Sequence, residues 1–329
     1  MYQADKKPPQ HPFFSIVIPV HNKAPYIQRC LKSALDQTCQ NYEILLIDDA
    51  STDSSMEEVG KFSDARLRIF RRETPGAGGY AARNLGIEKA RGEWIAFLDA
   101  DDQWHKEHLE QMHALSRLYP HVSFMACGWE KKKGKEKSPN PFFTQFHAEG
   151  KFSITLREYL KSGIKNMLPV CTLVACIKKN SPLASQLFPS ETQAKRGGDI
   201  HAWLKIMCYH KQMAWSNHLG AIYHTDSMNM VTKTAETGTD LLQPHIYKDL
   251  AEHLNAEEKL LLKKYLNIRL KKSLVTSIKI NQRKYQYRNS IYWKGDFFTA
   301  LKLYILSLLP VSLLHRGRKR RLKHLKMVL

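Results

Sequence analysis

Four consecutive residues, Asp99-Ala100-Asp101-Asp102, form an acidic turn directly after the apolar run Trp94–Leu98. Alternate carboxylates at the end of a strand can serve two ligands at once, because one can bind a ribose while the other holds a divalent cation that bridges two phosphates. Mg²⁺ and Mn²⁺ suit this task, since both prefer oxygen ligands and share phosphate oxygens with water. Acidic turns after strands are common, so the motif indicates this chemistry only when other polar clusters accompany it.

Two further polar clusters follow short apolar runs earlier in the chain. His21 and Asn22 come after Ser15–Val20, and Asp48–Asp49 ends the run that begins at Glu43. Short apolar runs alternate with helical patterns here, which predicts an α/β fold with a mostly parallel sheet flanked by helices. Ligands of such sheets bind beyond the carboxyl ends of the strands. We therefore expect these clusters and the acidic turn to meet at one edge of the sheet.

Three side chains away from these strand ends could join the same chemistry. Arg83 opens a helical pattern after a glycine-rich turn, where its guanidinium could contact a diphosphate or tie the helix to the sheet. Asp199 opens another helical pattern, where a carboxylate can cap the helix, act as a base, or do both. His224 follows a short strand, where a lone histidine is more often a structural residue than a metal ligand.

Three stretches carry a family resemblance: SIVIPVHNKAPYIQRCLKSALDQT, YEILLIDDASTD and GGYAARNLGIEKARGEWIAFLDADD. In this order they resemble the start of the family 2 glycosyltransferases, whose nucleotide-sugar-binding fold is called GT-A. The match runs over Phe14–Trp104 and continues more loosely through RGGDIHAWLKI near residue 200. The resemblance implies a Rossmann-like GT-A domain that binds Mn²⁺ or Mg²⁺. It also implies transfer of a sugar, with inversion, from a nucleotide-diphospho-sugar that is a UDP-sugar by family habit.

The resemblance assigns the nucleotide-sugar site to Pro19, His21, Asn22, Asp49, Arg83, Asp99 and Ala100. Within this set, Asp49 is expected to hydrogen-bond the base and Asp99 the ribose. Many relatives carry an aromatic residue where this chain has His21, whose imidazole can still stack on a base. Asp48 and Asp102 lie beside these positions and are expected to support the two turns.

The resemblance also assigns the metal site and the catalytic base. Asp101 is expected to bind the metal ion, and His224 lies where some relatives place a residue that reaches the metal or the diphosphate. Asp199 is expected to be the base that takes the proton of the acceptor hydroxyl. Family members generally carry an acidic pair at this point, and Gly198 replaces its first member.

The composition divides the chain into four predicted segments: an N-terminal extension (1–12), the catalytic domain (13–231), a helical region (232–295) and a membrane-associating tail (296–329). In the tail, Phe297–Leu314 is almost wholly apolar but contains Lys302 and Pro310, and it is short for a membrane span of about 20 residues. We expect a helix that lies in the membrane interface. The alternative is a helix that packs on the catalytic domain beside a solvated tail.

The net charge of +20 calls for an anionic partner. Residues 315–329 contain seven Lys and Arg and no acidic residue, and a basic run after an apolar segment suggests an anionic membrane surface. Six cysteines without CxxC spacing indicate the reduced thiols of a cytosolic protein. The first eleven residues lack the apolar core of a secretory signal. We expect a cytoplasmic protein that is peripherally attached to the cytoplasmic face of the inner membrane.

The favoured function is an inverting hexosyltransferase that builds capsule, lipopolysaccharide or O-antigen on a glycan or lipid-linked acceptor. A nucleotidyltransferase also uses a parallel sheet and acidic metal ligands, but it would carry a glycine-rich signature directly after the first strand, where this chain has PVHNKAPY. A nucleic-acid-binding protein would explain the charge, but the sequence has no recognisable binding motif, so we expect no nucleic acid partner. The surviving acidic residues disfavour a non-catalytic relative.

Overall fold

The computed structural model describes residues 2–4, 9–192, 195–227, 244–279 and 287–309. The chain forms two compact units. The larger contains Met1–Gln193 and Gly198–Met230, and the smaller contains Ala194–Gly197 and Val231–Leu329. The main break along the chain therefore lies between Met230 and Val231.

The larger unit combines a mixed sheet with helices. Its strands are β1 (Tyr2–Ala4), β2 (Phe14–Val20), β3 (Tyr42–Asp49), β4 (Phe62–Asp64), β5 (Leu67–Arg72), β6 (Trp94–Phe97), β7 (Gln103–Trp104), β8 (Phe124–Lys133), β9 (Glu136–Pro139), β10 (Lys151–Thr155), β11 (Cys176–Lys178) and β12 (Gln212–His224). Its helices are α1 (Ala24–Leu35), α2 (Ser55–Val59), α3 (Tyr80–Lys89), α4 (His108–Leu118), α5 (Pro141–Phe146), α6 (Leu156–Ile164) and α7 (Gly198–His210). β1 pairs with β4, and the other ten strands form the main sheet.

The first half of the main sheet is parallel. β6, β2, β3 and β5 lie side by side in this order, and their pairings are all parallel. β2 and β3 are buried along nearly their full length, as expected for strands that helices cover on both faces. The strands expected at Ser15–Val20, from Glu43 and at Trp94–Leu98 are present as β2, β3 and β6, and the predicted α/β class is confirmed.

Helix α3 lies unusually close to β2. A Cβ atom on Gly86 would lie 2.3 Å from Cγ1 of Val17, so only glycine allows the helix to approach the strand this closely. Arg83 lies one turn earlier on the same helix, and its guanidinium forms an ion pair with Asp99 beyond the end of β6. The packing of this helix therefore positions a cation at the carboxyl edge of the sheet.

The second half of the sheet is mixed. β11 is antiparallel to both β6 and β8, whereas β12 runs parallel to β8 and antiparallel to β10 and β7. The short strand β11 lies between β6 and β8 and runs antiparallel to both, β7 pairs with β12, and β8 and β9 form a hairpin. The mostly parallel arrangement expected from the sequence thus describes the first half of the sheet.

The smaller unit is helical in most of the residues described. It contains α8 (Pro244–Ala251), α9 (Ala256–Lys279), a 3-10 turn at Tyr287–Ser290 and α10 (Phe297–Leu308). α9 contributes a buried stripe with a spacing of about one helical turn: Leu262, Leu266, Leu270 and Leu274. None of the helices described is both long enough and apolar enough to span a membrane.

Candidate active site

Positive side chains hold the acidic turn that follows β6. The turn is closed by a hydrogen bond of 2.9 Å from the Asp102 amide to the Asp99 carbonyl. Arg83 forms an ion pair with the Asp99 carboxylate, and Lys23 Nζ lies 2.7 Å from Asp101 Oδ2. Arg29 donates a hydrogen bond to the backbone carbonyl of Asp101. The turn that the sequence marks as the donor and metal site therefore lies among three cations.

Asp102 and His224 meet in the interior beside this turn. The His224 amide donates a hydrogen bond of 2.8 Å to Asp102 Oδ1. Asp102 Oδ2 and His224 Nε2 are both buried, and neither has a hydrogen-bond partner in the part of the chain that the structure describes. Burial, followed by the charges of Asp101 and Asp99, raises the pKa of Asp102. Burial, followed by the charges of Arg29 and Lys132, lowers the pKa of His224 to about 4, so its imidazole is neutral at pH 7.

These residues fit a divalent cation that is shared with phosphate oxygens. Asp101 supplies a half-buried carboxylate, and the neutral His224 has an unsatisfied ring nitrogen. Among the residues described, no group of three or more His, Cys, Asp and Glu side chains could hold a metal ion by itself. A site with one or two protein ligands suits Mg²⁺ or Mn²⁺, which take their other ligands from substrate phosphates and water.

Asp199 lies in the first turn of α7, as predicted. Its Oδ2 accepts a hydrogen bond of 3.4 Å from the Thr172 hydroxyl. The start of the helix is fixed by the Gly198 amide, which donates a hydrogen bond of 2.8 Å to the Tyr80 hydroxyl. A Cβ atom on Gly198 would lie 2.5 Å from Cζ of Tyr80. The packed Tyr80 ring therefore explains why this chain has no acidic side chain at position 198.

Asp199 and carboxylates of the acidic turn both influence the pKa values of two neighbouring groups, Arg83 and Cys171. Burial disfavours the charged form of Arg83, but Asp99 and then Asp199 outweigh that penalty and raise its pKa. The pKa of the Cys171 thiol is raised by burial and by several nearby groups, among them Asp102, Asp99 and Asp199. The contacts of α3 show the same arrangement, because the Tyr80 hydroxyl accepts a hydrogen bond from the Gly198 amide next to Asp199, and Arg83, one turn along the helix, forms an ion pair with Asp99. The fold thus brings Asp199 and the acidic turn to one place.

The other predicted donor residues lie at the ends of β2 and β3. The Asp49 carboxylate is buried, forms an ion pair with Arg72 and accepts a hydrogen bond of 3.0 Å from the Gly76 amide. The exposed His21 lies beside it, with Nδ1 at 2.8 Å from the Asp49 carbonyl oxygen. Asn22 adopts a left-handed conformation with φ of 53°.

The contacts of Asn22 and Asp48 stabilise the loops around these positions. Asn22 Oδ1 accepts hydrogen bonds from the amides of Thr52 and Asp53, and Asp48 Oδ1 accepts one of 3.0 Å from the Ser51 amide. Pro19, at the end of β2, is half-buried, and Ala100 is buried in the acidic turn. The roles assigned to these residues in nucleotide-sugar binding stay predictions.

Sequence reasoning missed Lys23, Arg29 and Tyr80. Lys23, at the N-cap of α1, and Arg29, within the helix, each lie three residues from Tyr26, a spacing that brings both near its ring. Lys23 Nζ and Arg29 Cζ lie 6.0 Å and 5.5 Å from the centre of the Tyr26 ring. This spacing could have indicated two cations near Tyr26. Nothing in the sequence marks the contact of Tyr80 with Gly198, which lies 118 positions away.

A parallel half-sheet with carboxylates at its strand ends, extended by a mixed second half, is the GT-A architecture of enzymes that transfer sugars from nucleotides. Residues 15–174 match the sequence model of glycosyl transferase family 2, so this part of the chain is a domain of that family.

Curated relatives and solved structures agree with this assignment. A Rickettsia felis protein named an uncharacterized glycosyltransferase is 39% identical over 136 residues, which are 40% of this chain and 22% of that protein. TuaG of Bacillus subtilis, named for teichuronic acid biosynthesis, is 35% identical over 102 residues, which are 30% of this chain and 40% of TuaG. The chain thus matches less than half the length of these curated relatives.

Two solved structures share the fold at low sequence identity. S. aureus TarS 1–349 in complex with UDP-GlcNAc has a TM-score of 0.74 and 18% identity, and the alignment covers 94% of this chain and 91% of TarS 1–349. The mannosyltransferase PcManGT from Pyrobaculum calidifontis, in complex with GDP-Man and Mn²⁺, has a TM-score of 0.51 and 19% identity over 96% of this chain and 82% of its own.

Proposed function

We propose that the protein is an inverting glycosyltransferase that moves a sugar from a nucleotide-diphospho-sugar to a hydroxyl of a glycan or lipid-linked acceptor. A UDP-sugar is the proposed donor, and bacterial surface polysaccharide is the proposed product. The observation that carries this proposal is the contact of α3 with both parts of the site: Arg83 forms an ion pair with Asp99, and the Tyr80 hydroxyl accepts a hydrogen bond from the Gly198 amide beside Asp199. The sugar nucleotides bound by TarS and PcManGT, and the name of TuaG, support the substrate and product classes.

The donor half of the proposed site consists of the ends of β2, β3 and β6. Asp49, held by Arg72 and the Gly76 amide, is directed at the base, and Asp99, held by Arg83, accepts hydrogen bonds from the ribose. Asp101, with His224 as a second ligand, would hold a divalent cation, which stabilises the charge of the leaving nucleoside diphosphate. Nearby cationic side chains add to this stabilisation.

The proposed catalytic base is Asp199. The Thr172 hydroxyl and the fixed start of α7 orient its carboxylate. As the acceptor oxygen attacks the anomeric carbon from the face opposite the diphosphate, the hydroxyl proton passes to Asp199. The bond from the anomeric carbon to the diphosphate oxygen breaks at the same time, so the sugar is transferred with inversion.

The proposal also covers location and domain organisation. We place the protein at the cytoplasmic face of the inner membrane, with a catalytic domain over residues 13–231, a helical region over 232–295 and a tail over 296–329. All six cysteines are free thiols, which supports a reducing compartment. An exposed apolar face on α10, described below, supports contact with a membrane.

The test begins with a thermal-shift screen of nucleotide sugars with and without Mn²⁺, which identifies the donor and the ion together. With the best donor, we expect Asp199→Asn and Asp101→Ala each to lower the transfer rate by about 10²–10⁴-fold while the melting temperature is retained. Glu57→Gln replaces an exposed acid on α2 and serves as the matched control. Transfer at the wild-type rate by either active-site variant would reject the assignment.

A further inference from the structure

Helix α10 has two different faces. Ala300, Leu303 and Ser307 are buried, and the helix packs on α9 within the smaller unit. The other side carries six exposed apolar or aromatic side chains: Phe297, Phe298, Leu301, Tyr304, Ile305 and Leu308. At 3.6 residues per turn these six occupy about one third of the helix circumference. We call this set the exposed stripe.

Trp293 extends the exposed stripe. Its ring centre lies 5.6 Å from that of Tyr304 and 6.2 Å from that of Phe297. Trp293 is 42% exposed, whereas each of the other five tryptophans is at most 8% exposed. Indole and phenol rings combine an apolar body with a polar edge, which suits the boundary between water and lipid. A contiguous exposed apolar patch marks an interaction site.

The chemistry around the exposed stripe favours an anionic membrane as its partner. Lys302 is exposed on the same helix, and seven Lys and Arg follow within residues 315–329 without an acidic residue. A second copy of this chain would bring two proteins of charge +20 together, and like charges oppose such a contact. The α10 helix has 12 residues and is about 18 Å long, whereas the hydrocarbon core of a bilayer is about 30 Å thick. It therefore suits an orientation in the plane of the membrane.

We infer that the exposed stripe and Trp293 insert into the interface of an anionic bilayer while the basic residues after α10 bind lipid phosphates. This arrangement is that of an in-plane amphipathic helix, in which apolar burial and attraction to anionic lipid act together. One face of the helix packs on α9 of the smaller unit, and the exposed stripe is accessible for contact with lipid. The inference does not depend on the transferase chemistry.

Tryptophan fluorescence of the full-length protein tests this inference. Vesicles of phosphatidylcholine with 30% phosphatidylglycerol should shift the emission of Trp293 to shorter wavelength, and brominated lipid should quench it. Trp293→Phe should remove both signals and keep vesicle binding, because phenylalanine preserves the apolar surface. No shift and no quenching in the wild-type protein would overturn the inference.

Flotation with the same vesicles provides the matched comparison. The double variant Phe298→Ser/Ile305→Ser alters two exposed members of the stripe and should weaken vesicle binding at least tenfold with an unchanged melting temperature. Leu118→Ser/Leu260→Ser alters two exposed leucines elsewhere and should bind as the wild type does. Equal binding by the two double variants would overturn the role of the stripe. Equal binding to pure phosphatidylcholine would overturn the role of anionic lipid. If the wild-type protein is a dimer and the stripe variant is a monomer, the stripe binds a second copy of the chain instead of a membrane.

Discussion

Two carboxylates of the acidic turn are bound to cationic side chains, and these two ion pairs differ. Arg83 holds Asp99 at a position where the proposed donor contributes only hydroxyl groups, so this pair and the donor can coexist. Lys23 holds Asp101, the proposed metal ligand, with side-chain exposures of 17% and 16%. A divalent cation at Asp101 must therefore compete with the Lys23 ammonium group.

This competition gives a prediction at the scale of one residue. Lys23→Met keeps the length of the side chain but removes its charge, so Mn²⁺ should bind more tightly. An ion pair of this exposure contributes about 1 kcal/mol, which corresponds to about fivefold in the dissociation constant. Titration of Mn²⁺ by electron paramagnetic resonance measures this constant without any turnover. Lys32→Met, which changes an exposed lysine on α1, is the control. Weaker Mn²⁺ binding by Lys23→Met would contradict the competition between Lys23 and the metal ion.

Single residues also show how far the sequence could predict the site. The acidic turn and Asp49 could be located because they lie at the carboxyl ends of apolar strands, and the parallel strands bring such positions to one edge. The contact of Asp102 with His224 joins residues 122 positions apart. It depends on the path of β12 through the mixed half of the sheet. Pairings of this half follow from tertiary packing, which one sequence does not specify.

At the scale of elements, the approach of α3 to β2 positions Arg83 at the carboxyl edge. The sequence predicted both elements from their periodicity, but the closeness of their packing depends on Gly86 and Val17 together. Gly86 is an unfavourable residue inside a helix and so indicates a close approach, but it does not identify Val17 as the partner. The geometry of the site therefore rests on shape complementarity between two elements that were individually predictable.

The packing of α3 can be tested with a double-mutant cycle. A methyl group on Gly86 overlaps Val17, so Gly86→Ala should lower the free energy of unfolding by about 1–3 kcal/mol. Val17→Ala makes room for this methyl group, so the double variant should lose less than the two single losses combined, by about 1 kcal/mol. Denaturant unfolding measures all three changes. The control is Gly60→Ala, which should have little effect because the added carbon lies 3.4 Å and 3.5 Å from its nearest atoms. If the losses of the two single variants simply add in the double variant, the proposed overlap of Gly86 with Val17 is wrong.

At the scale of the whole molecule, the excess positive charge has a local part that deletion can remove. Deleting residues 310–329 takes away seven positive charges and no negative one, while α10 and its exposed stripe remain. This truncated protein should bind anionic vesicles more weakly than the full chain and should lose most of its sensitivity to added salt, because screening acts on the removed charges. Flotation at two salt concentrations checks this. If the truncated protein binds as tightly as the full chain and responds equally to salt, basic residues before position 310 must make the contact with anionic lipid.

Buried histidines predict a loss of stability in acid. Burial is the largest cause of a lowered pKa in His108, His210, His218 and His224. His108 shows the effect most clearly, because its pKa falls from 6.5 to about 3. Its ring lies 4.4 Å from that of Trp104, and its Nδ1 lies 3.6 Å from the Cys127 thiol. The folded protein therefore keeps this imidazole neutral where the unfolded chain takes up a proton.

The direction of the pH effect follows from proton counts in the two states. Between pH 6.5 and about pH 3 the unfolded chain binds more protons at His108 than the folded protein does, so the free energy of unfolding falls as the pH falls through this window. The slope that His108 contributes is at most about 1.4 kcal/mol per pH unit, or about 2 kcal/mol between pH 6.5 and pH 5. His108→Gln removes the titrating group, so denaturant unfolding at pH 7, 6 and 5 should show a shallower acid loss for this variant than for the wild type. Parallel pH curves for the two proteins would mean that His108 takes up its proton equally in both states, which is incompatible with its position in the core.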